Sequence, residues 1–173
     1  GSWLVDSELH DRAPFTPDEL DADPNNKNSE WVRALVVQPG TGNALAVGER
    51  EYKPNGNEVY HRTFTALVHP LGGVMGAPWT SQADASFIHD AARSVAACRD
   101  GFMTGGWTRD LPMDAKPVPM MFWLDASGIG TDHRSDPQLG STQTHGIACD
   151  REGKIISAGT RSSGSSDAQV FAV

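Results

Sequence analysis

The densest run of oxygen ligands in this sequence is DELDADPNNKNSE, Asp18 to Glu30. Asp21, Asp23 and Asn25 stand two residues apart, the spacing at which alternate side chains of a calcium loop converge on one ion. An EF-hand would continue with a glycine at its sixth position and a bidentate glutamate at its twelfth. Here those places hold Asn26 and Val32, and Pro24 interrupts the run. An irregular Ca²⁺ loop at Asp21, Asp23 and Asn25 is the one metal candidate; the default account of the same residues is an acidic surface connector, and no cofactor is expected.

The six histidines (His10, His61, His69, His89, His133, His145) form no His-x-His or His-x-x-x-His pair, and the two cysteines form no Cys-x-x-Cys pair. Zinc therefore has no local support. No Gly-x-Ser-x-Gly elbow, P-loop or dinucleotide fingerprint occurs, and the acidic residues are too scattered to pick out a glycosidase pair by spacing. No catalytic residue is assigned. Two residues stand as ligand-binding candidates. Trp79, in the polar context APWTSQ, offers an aromatic face that could stack on a sugar ring. His145 opens a short apolar strand. A solvated loop or strand-end histidine is the plainer account of His145; Trp79 is read as the exposed tryptophan, whereas Trp107 and Trp123 fall on or beside strands and are expected to pack between sheets.

What must position such residues is a repeat. Three segments share one grammar of apolar run, turn, and second apolar run ending in glycine: VRALVVQPGTGNALAVG, VAACRDGFMTGG and GIACDREGKIISAG. They align on Gly48, Gly106 and Gly159, which fall 58 and 53 residues apart. TFTALVHPLGG and MMFWLDASGIG continue the first two copies, aligned on Gly72 and Gly128, 56 residues apart, and AQVFAV continues the third. Short apolar runs separated by glycine-containing turns are antiparallel hairpin signals. A third strand follows each hairpin, and GVMGAPWT and GIGTDHR supply a fourth. Repeats of four short strands at this period predict an all-β chain, a β-propeller segment of about three four-stranded antiparallel blades. The alternative is a β-sandwich, which also spaces its strands regularly. The repeats run over about 31–80, 90–134 and 143–173 of one domain, with 9–30 as a surface connector.

These blade patterns resemble those of secreted bacterial β-propeller repeat proteins: an alternating Ala/Val strand, an Asp-x-x-Gly turn, a strand ending in Gly, then an Asp-Ala-x-Gly turn. The resemblance covers most of residues 31–173. The first copy departs from it, with QPGTGN and HPLGG in place of the two aspartate turns. What the resemblance implies is an extracellular or cell-surface location and a place for His145 near the central channel, where first strands lie.

Bulk properties narrow the function. With 14 Lys+Arg against 22 Asp+Glu the net charge is -8, which argues against nucleic acid. No apolar run approaches the roughly 18 residues of a membrane helix. The first residue is Gly, so the chain reads as mature, processed or partial. Propellers use four to eight blades, so a three-blade chain is expected to need a second copy or another segment of polypeptide to complete a ring of six to eight. Cys98 and Cys149 both end first strands of successive blades and look equivalent. Equivalent places lie a blade apart, beyond the roughly 7 Å Cα separation that a disulfide spans, so the two are expected not to pair. The functional expectation is a non-enzymatic extracellular module with a binding or structural role. A fragment of a propeller enzyme (hydrolase, lyase or quinoprotein type) and a carbohydrate-binding propeller are the alternatives.

Overall fold

The computed structural model describes residues 30–52, 59–81, 89–109, 116–135, 141–150, 152–162 and 168–172. The described residues contain strands and turns and no helix. The strands are β1 (Glu30–Val37), β2 (Ala44–Tyr52), β3 (Tyr60–Val68), β4 (Trp79–Thr80), β5 (His89–Cys98), β6 (Gly101–Arg109), β7 (Val118–Leu124), β8 (Gly130–Ser135), β9 (Ser141–Cys149), β10 (Ile155–Ser162) and β11 (Ala168–Ala172). They form three antiparallel sheets in sequential order, β1-β2-β3-β4, β5-β6-β7-β8 and β9-β10-β11, none of them closed. The expected connector lies outside the described residues apart from Glu30, which begins β1. The fourth strand of the first sheet is shorter than expected: only Trp79 and Thr80 form β4, with Val74 making an isolated bridge to Val68.

The turns follow the aspartate grammar in chemistry as well as in letters. Asp125 Oδ1 accepts the Ser127 and Ile129 amides at 2.8 and 3.0 Å, and Asp150 Oδ1 accepts the Lys154 amide at 2.7 Å. Each turn ends on a glycine in the left-handed region, Gly128 at φ 80° and Gly153 at φ 83°, where a Cβ would be strained. The divergent turn of the first sheet keeps the same bond with a different atom. His69 stands where the aspartate would, and its Nδ1 accepts the Leu71 amide at 3.1 Å.

The glycines on which the repeats align have a common task. In each sheet the first strand carries a one-residue β-bulge opposite that glycine: Val32 pairs with Gly48 and Ala34 with Val47, Ala92 with Gly106 and Ser94 with Gly105, and Thr144 with Gly159 and Gly146 with Ala158. Arg33, Arg93 and His145 are the three residues left out of the ladder. A bulge bends its strand toward the partner. The carbonyl oxygens of Trp31 and Ala91 consequently sit where a Cβ on Gly48 or Gly106 would be, so only glycine fits.

The sheets stack face to face, each on the next, an arrangement consistent with either a propeller-like or a sandwich architecture. β5 packs on β1, β2 and β3, and β9 packs on β5, β6 and β7 in the same way. Between the first two sheets Leu45, Val47 and Leu67 meet Ala92, Phe102, Met120, Phe122 and Leu124, all buried. Between the second and third, Thr144 is packed so closely on Gly105 that a Cβ there would stand 2.7 Å from its Cγ2. A sheet has two faces, and this stacking buries both faces of the middle one.

The cysteine expectation is overturned. Cys98 and Cys149 form a disulfide, with Cα atoms 5.4 Å apart. The two are not register equivalents. Cys98 pairs with Gly101, the fifth residue before Gly106, whereas Cys149 pairs with Ile155, only four before Gly159. One step along a strand turns a side chain to the opposite face. Cys98 thus faces the third sheet while Cys149 faces the second, and the first strands converge closely enough to join them. The repeat register itself is unchanged.

Candidate functional site

The polar side chains converge at one end of the first two sheets, where β1, β3 and β5 begin and β2 and β6 finish. Leu45, Val47 and Glu49 alternate along β2 and so share the face turned to the second sheet. The apolar stripe therefore ends in a carboxylate, 3% exposed. The bulge residues supply its partners. Arg33 Nε donates to Glu49 Oε1 at 2.8 Å and its Nη2 reaches the same oxygen. Arg93 Nη1, from the second sheet, lies 3.2 Å from Oε1, and His61 Nδ1 lies 3.3 Å from Oε2. A buried carboxylate is tolerable when its lone pairs are filled by charged donors. Glu49 is held in this way from both sheets.

A second contact sits beside it. The β4 ladder reaches only Phe64 and Thr65, with the Ser81 amide donating to the Thr63 carbonyl at 2.9 Å, and it leaves the His61 and Thr63 amides to other acceptors. The first two residues of β5 supply those acceptors. His89 Nδ1 accepts the His61 amide at 3.3 Å, and Asp90 Oδ1 accepts the Thr63 amide at 2.6 Å and the Ser81 hydroxyl at 2.7 Å. Arg62 Nη1 lies 3.7 Å from the other Asp90 oxygen. Burial raises the Asp90 carboxyl above its ordinary pKa, opposed by the Thr63 and Ser81 hydrogen bonds and by Arg62. Burial lowers the His89 imidazole to about 4, reinforced by Arg109, His61 and Arg62. His89 is neutral at physiological pH, as its acceptor role at Nδ1 requires. Its ring leans on Tyr60 at 5.0 Å and on His61 at 6.0 Å, and Trp31 stacks on His61 at 5.9 Å.

Chemically, this arrangement joins sheets. Both buried carboxylates are committed to fixed donors. The His61–Glu49 contact has the outline of a base and its orienting acid, but Glu49 is shared with two guanidinium groups.

The sequence candidates are spread through the fold. His145 is exposed at the third bulge, its Nε2 2.9 Å from Thr160 Oγ1, in the register position of Arg33 and Arg93. Trp79 is half-buried in β4, edge-on to Phe122 at 5.5 Å, and its ring fills the space a side chain at Gly130 would need. The structure therefore brings neither residue into the Glu49 cluster. Asp21, Asp23 and Asn25 lie outside the described residues. Among the described residues no group of three or more His, Cys, Asp or Glu side chains could hold a metal ion, and no helix is long and apolar enough to cross a membrane.

Sequence reasoning missed Arg33, Glu49, His61, His89, Asp90 and Arg93. A signal for part of the set is there: Glu49 follows the repeat glycine, and Arg33, Arg93 and His145 hold one place in Val-Arg-Ala, Ala-Arg-Ser and Thr-His-Gly. A separate cleft of about 380 Å³ opens at the other end of the second and third sheets, beside the disulfide, with Met103, Trp123, Arg99 and Asp125 in its lining.

No protein-family model matches this chain, and no curated protein matches it.

Proposed function

We propose that this chain is a non-enzymatic extracellular module, a propeller segment whose role is structural or binding and is exercised in a larger assembly. The observation that carries the reading is an exposed apolar stripe. Val32, Leu35 and Val37 on β1 are 48%, 59% and 56% exposed, although β5 and β9 use the matching face to pack on a neighbouring sheet. Monomeric proteins seldom leave such strips on a sheet edge uncovered. The Cys98–Cys149 bridge supports an oxidising, extracellular location, and the commitment of Glu49 and Asp90 to sheet-joining bonds supports a role without catalysis.

The test is made on the protein in its native host. Non-reducing peptide mapping of material shaved from intact cells or recovered from the medium should yield the Cys98–Cys149 peptide. Recovery only from the cell interior, with both thiols reduced, would overturn the reading.

A carbohydrate-binding role is the second reading, and the cleft beside Trp123 favours it. An aromatic ring near the Arg99 and Asp125 side chains suits a sugar, whose ring carbons stack and whose hydroxyls need polar partners. Calorimetric titration with neutral and acidic saccharides should then show binding that Trp123→Ala abolishes. Absence of binding across the panel would remove this reading.

A further inference from the structure

The chain makes the same joint twice internally and leaves both halves of it uncovered at its ends. On the first strands, counting from the residue paired with the repeat glycine, Val32, Ala92 and Thr144 are equivalent, as are Leu35, Val95 and Ile147. Ala92 is 0% exposed, and Val95 packs on the core that contains Leu45 of the preceding sheet. Thr144 is likewise buried against the second sheet, on Gly105. Val32 and Leu35 hold these positions on the first sheet and are half or more exposed.

The receiving half shows the complementary pattern. Leu45, Met103 and Ile156 are equivalent on the second strands, paired with Val36, Ala96 and Ala148. Leu45 is 0% and Met103 1% exposed, each beneath the next sheet, whereas Ile156 on the third sheet is 56% exposed. Position for position, one end of the chain presents what the other end is shaped to receive.

We propose that the occupant of the exposed β1 face is a second copy of this chain. Its third sheet takes the β1 face of the first copy, while the first copy's third sheet takes its β1 face. A head-to-tail contact of this kind closes when the rotation fits. Closure at two copies makes both joints at once and gives a ring of twice three sheets, within the range that propellers use. Leu35 of one copy then lies against Ile156 of the other, as Val95 lies against the Leu45 core inside each chain. This inference rests on the reading that the end faces are assembly faces, and adds what covers them.

The experiment is sedimentation equilibrium of the purified chain from low to high micromolar concentration, with a Leu35→Cys/Ile156→Cys variant oxidised and mapped in parallel. The expected result is twice the 18.5 kDa mass of one chain and, in the variant, an intermolecular disulfide joining position 35 of one copy to position 156 of the other. Leu35→Glu and Ile156→Glu should each halve the mass while keeping the β-type circular dichroism spectrum and the native disulfide. A monomer throughout, or a dimer bridged 35-to-35, would overturn the proposal. If the chain is monomeric alone yet the β1 amides are protected from exchange in the assembly isolated from the host, the second copy is refuted and the assembly reading survives. Unprotected β1 amides there refute both.

Discussion

Removing the disulfide tests the way the second and third sheets are held together. Cys98 and Cys149 are 51 residues apart, and the closed loop contains β6, β7, β8 and β9. In the chain-entropy treatment a loop of that length loses freedom in the unfolded chain worth about 4 kcal/mol at 25 °C. For a chain of this size each kcal/mol moves the melting temperature by about 2–4 °C, so the double variant Cys98→Ala/Cys149→Ala should melt roughly 8–16 °C lower. Both sites are changed so that no lone thiol is left to mispair. The assay is thermal and urea denaturation, with and without a phosphine reductant. Reductant should lower the wild-type midpoint to near that of the double variant and leave the variant unmoved. Because the bridge clamps the third sheet, amide exchange should rise first in β9 and β10, while β2, β3 and β5 stay protected. A stability change below about 1 kcal/mol, or a loss spread evenly over all sheets, would refute the claim that the bridge constrains this pair of sheets.

Glu49→Gln leaves Arg33, Arg93 and His61 without their shared anion, and should cost about 2–3 kcal/mol in urea denaturation, short of the roughly 3–5 of a fully buried pair because both arginines are partly exposed; a loss under about 0.5 kcal/mol would contradict the joint. Gly106→Ala drives a Cβ into the Ala91 carbonyl oxygen and should destabilise by several kcal/mol or abolish folding, whereas Gly146→Ala, with open space around it, should cost about 1 kcal/mol or less; equal effects would refute the bulge explanation. His89, lowered to about 4 from 6.5, takes up a proton more readily when unfolded, so its contribution is present above about 6.5 and lost as pH falls toward 4. Asp90 is raised from 3.8 by burial, so its own contribution has the opposite sign, diminishing as pH rises through the folded value. The difference between wild type and His89→Asn isolates the histidine, since the amide oxygen can still accept the His61 amide; the wild-type advantage should shrink by on the order of 2 kcal/mol between about pH 6.5 and 4, and a difference independent of pH would refute the neutral-acceptor role.

Local rules carried the sequence reading far. Turn formation needs a side-chain acceptor and a residue able to take positive φ, so the Asp-x-x-Gly runs mark the hairpins wherever they occur, and the alternation around them marks the strands. The repeat glycines Gly48, Gly106 and Gly159 each face a bulge on the first strand of their sheet, and at Gly48 and Gly106 a close backbone approach admits no other residue. What the sequence could not yield was which side chains meet across sheets. Cys98 and Cys149 look equivalent in a linear alignment, but a different hairpin register places them one step apart. In a strand of period two that single step decides which face a side chain takes, so a pair read as parallel and separate is opposed and bonded. Arg33 and Arg93 are ordinary charged residues in the sequence; a bulge lifts each out of its ladder and onto Glu49. Asp90 and His89 are an ordinary polar dipeptide in the sequence; in the fold they accept the His61 and Thr63 amides beyond the end of the β4 ladder. Turns and strands are settled by neighbours in the chain, whereas faces, caps and ion pairs are settled by the stacking of sheets, which joins residues as far apart as Leu45 and Leu124.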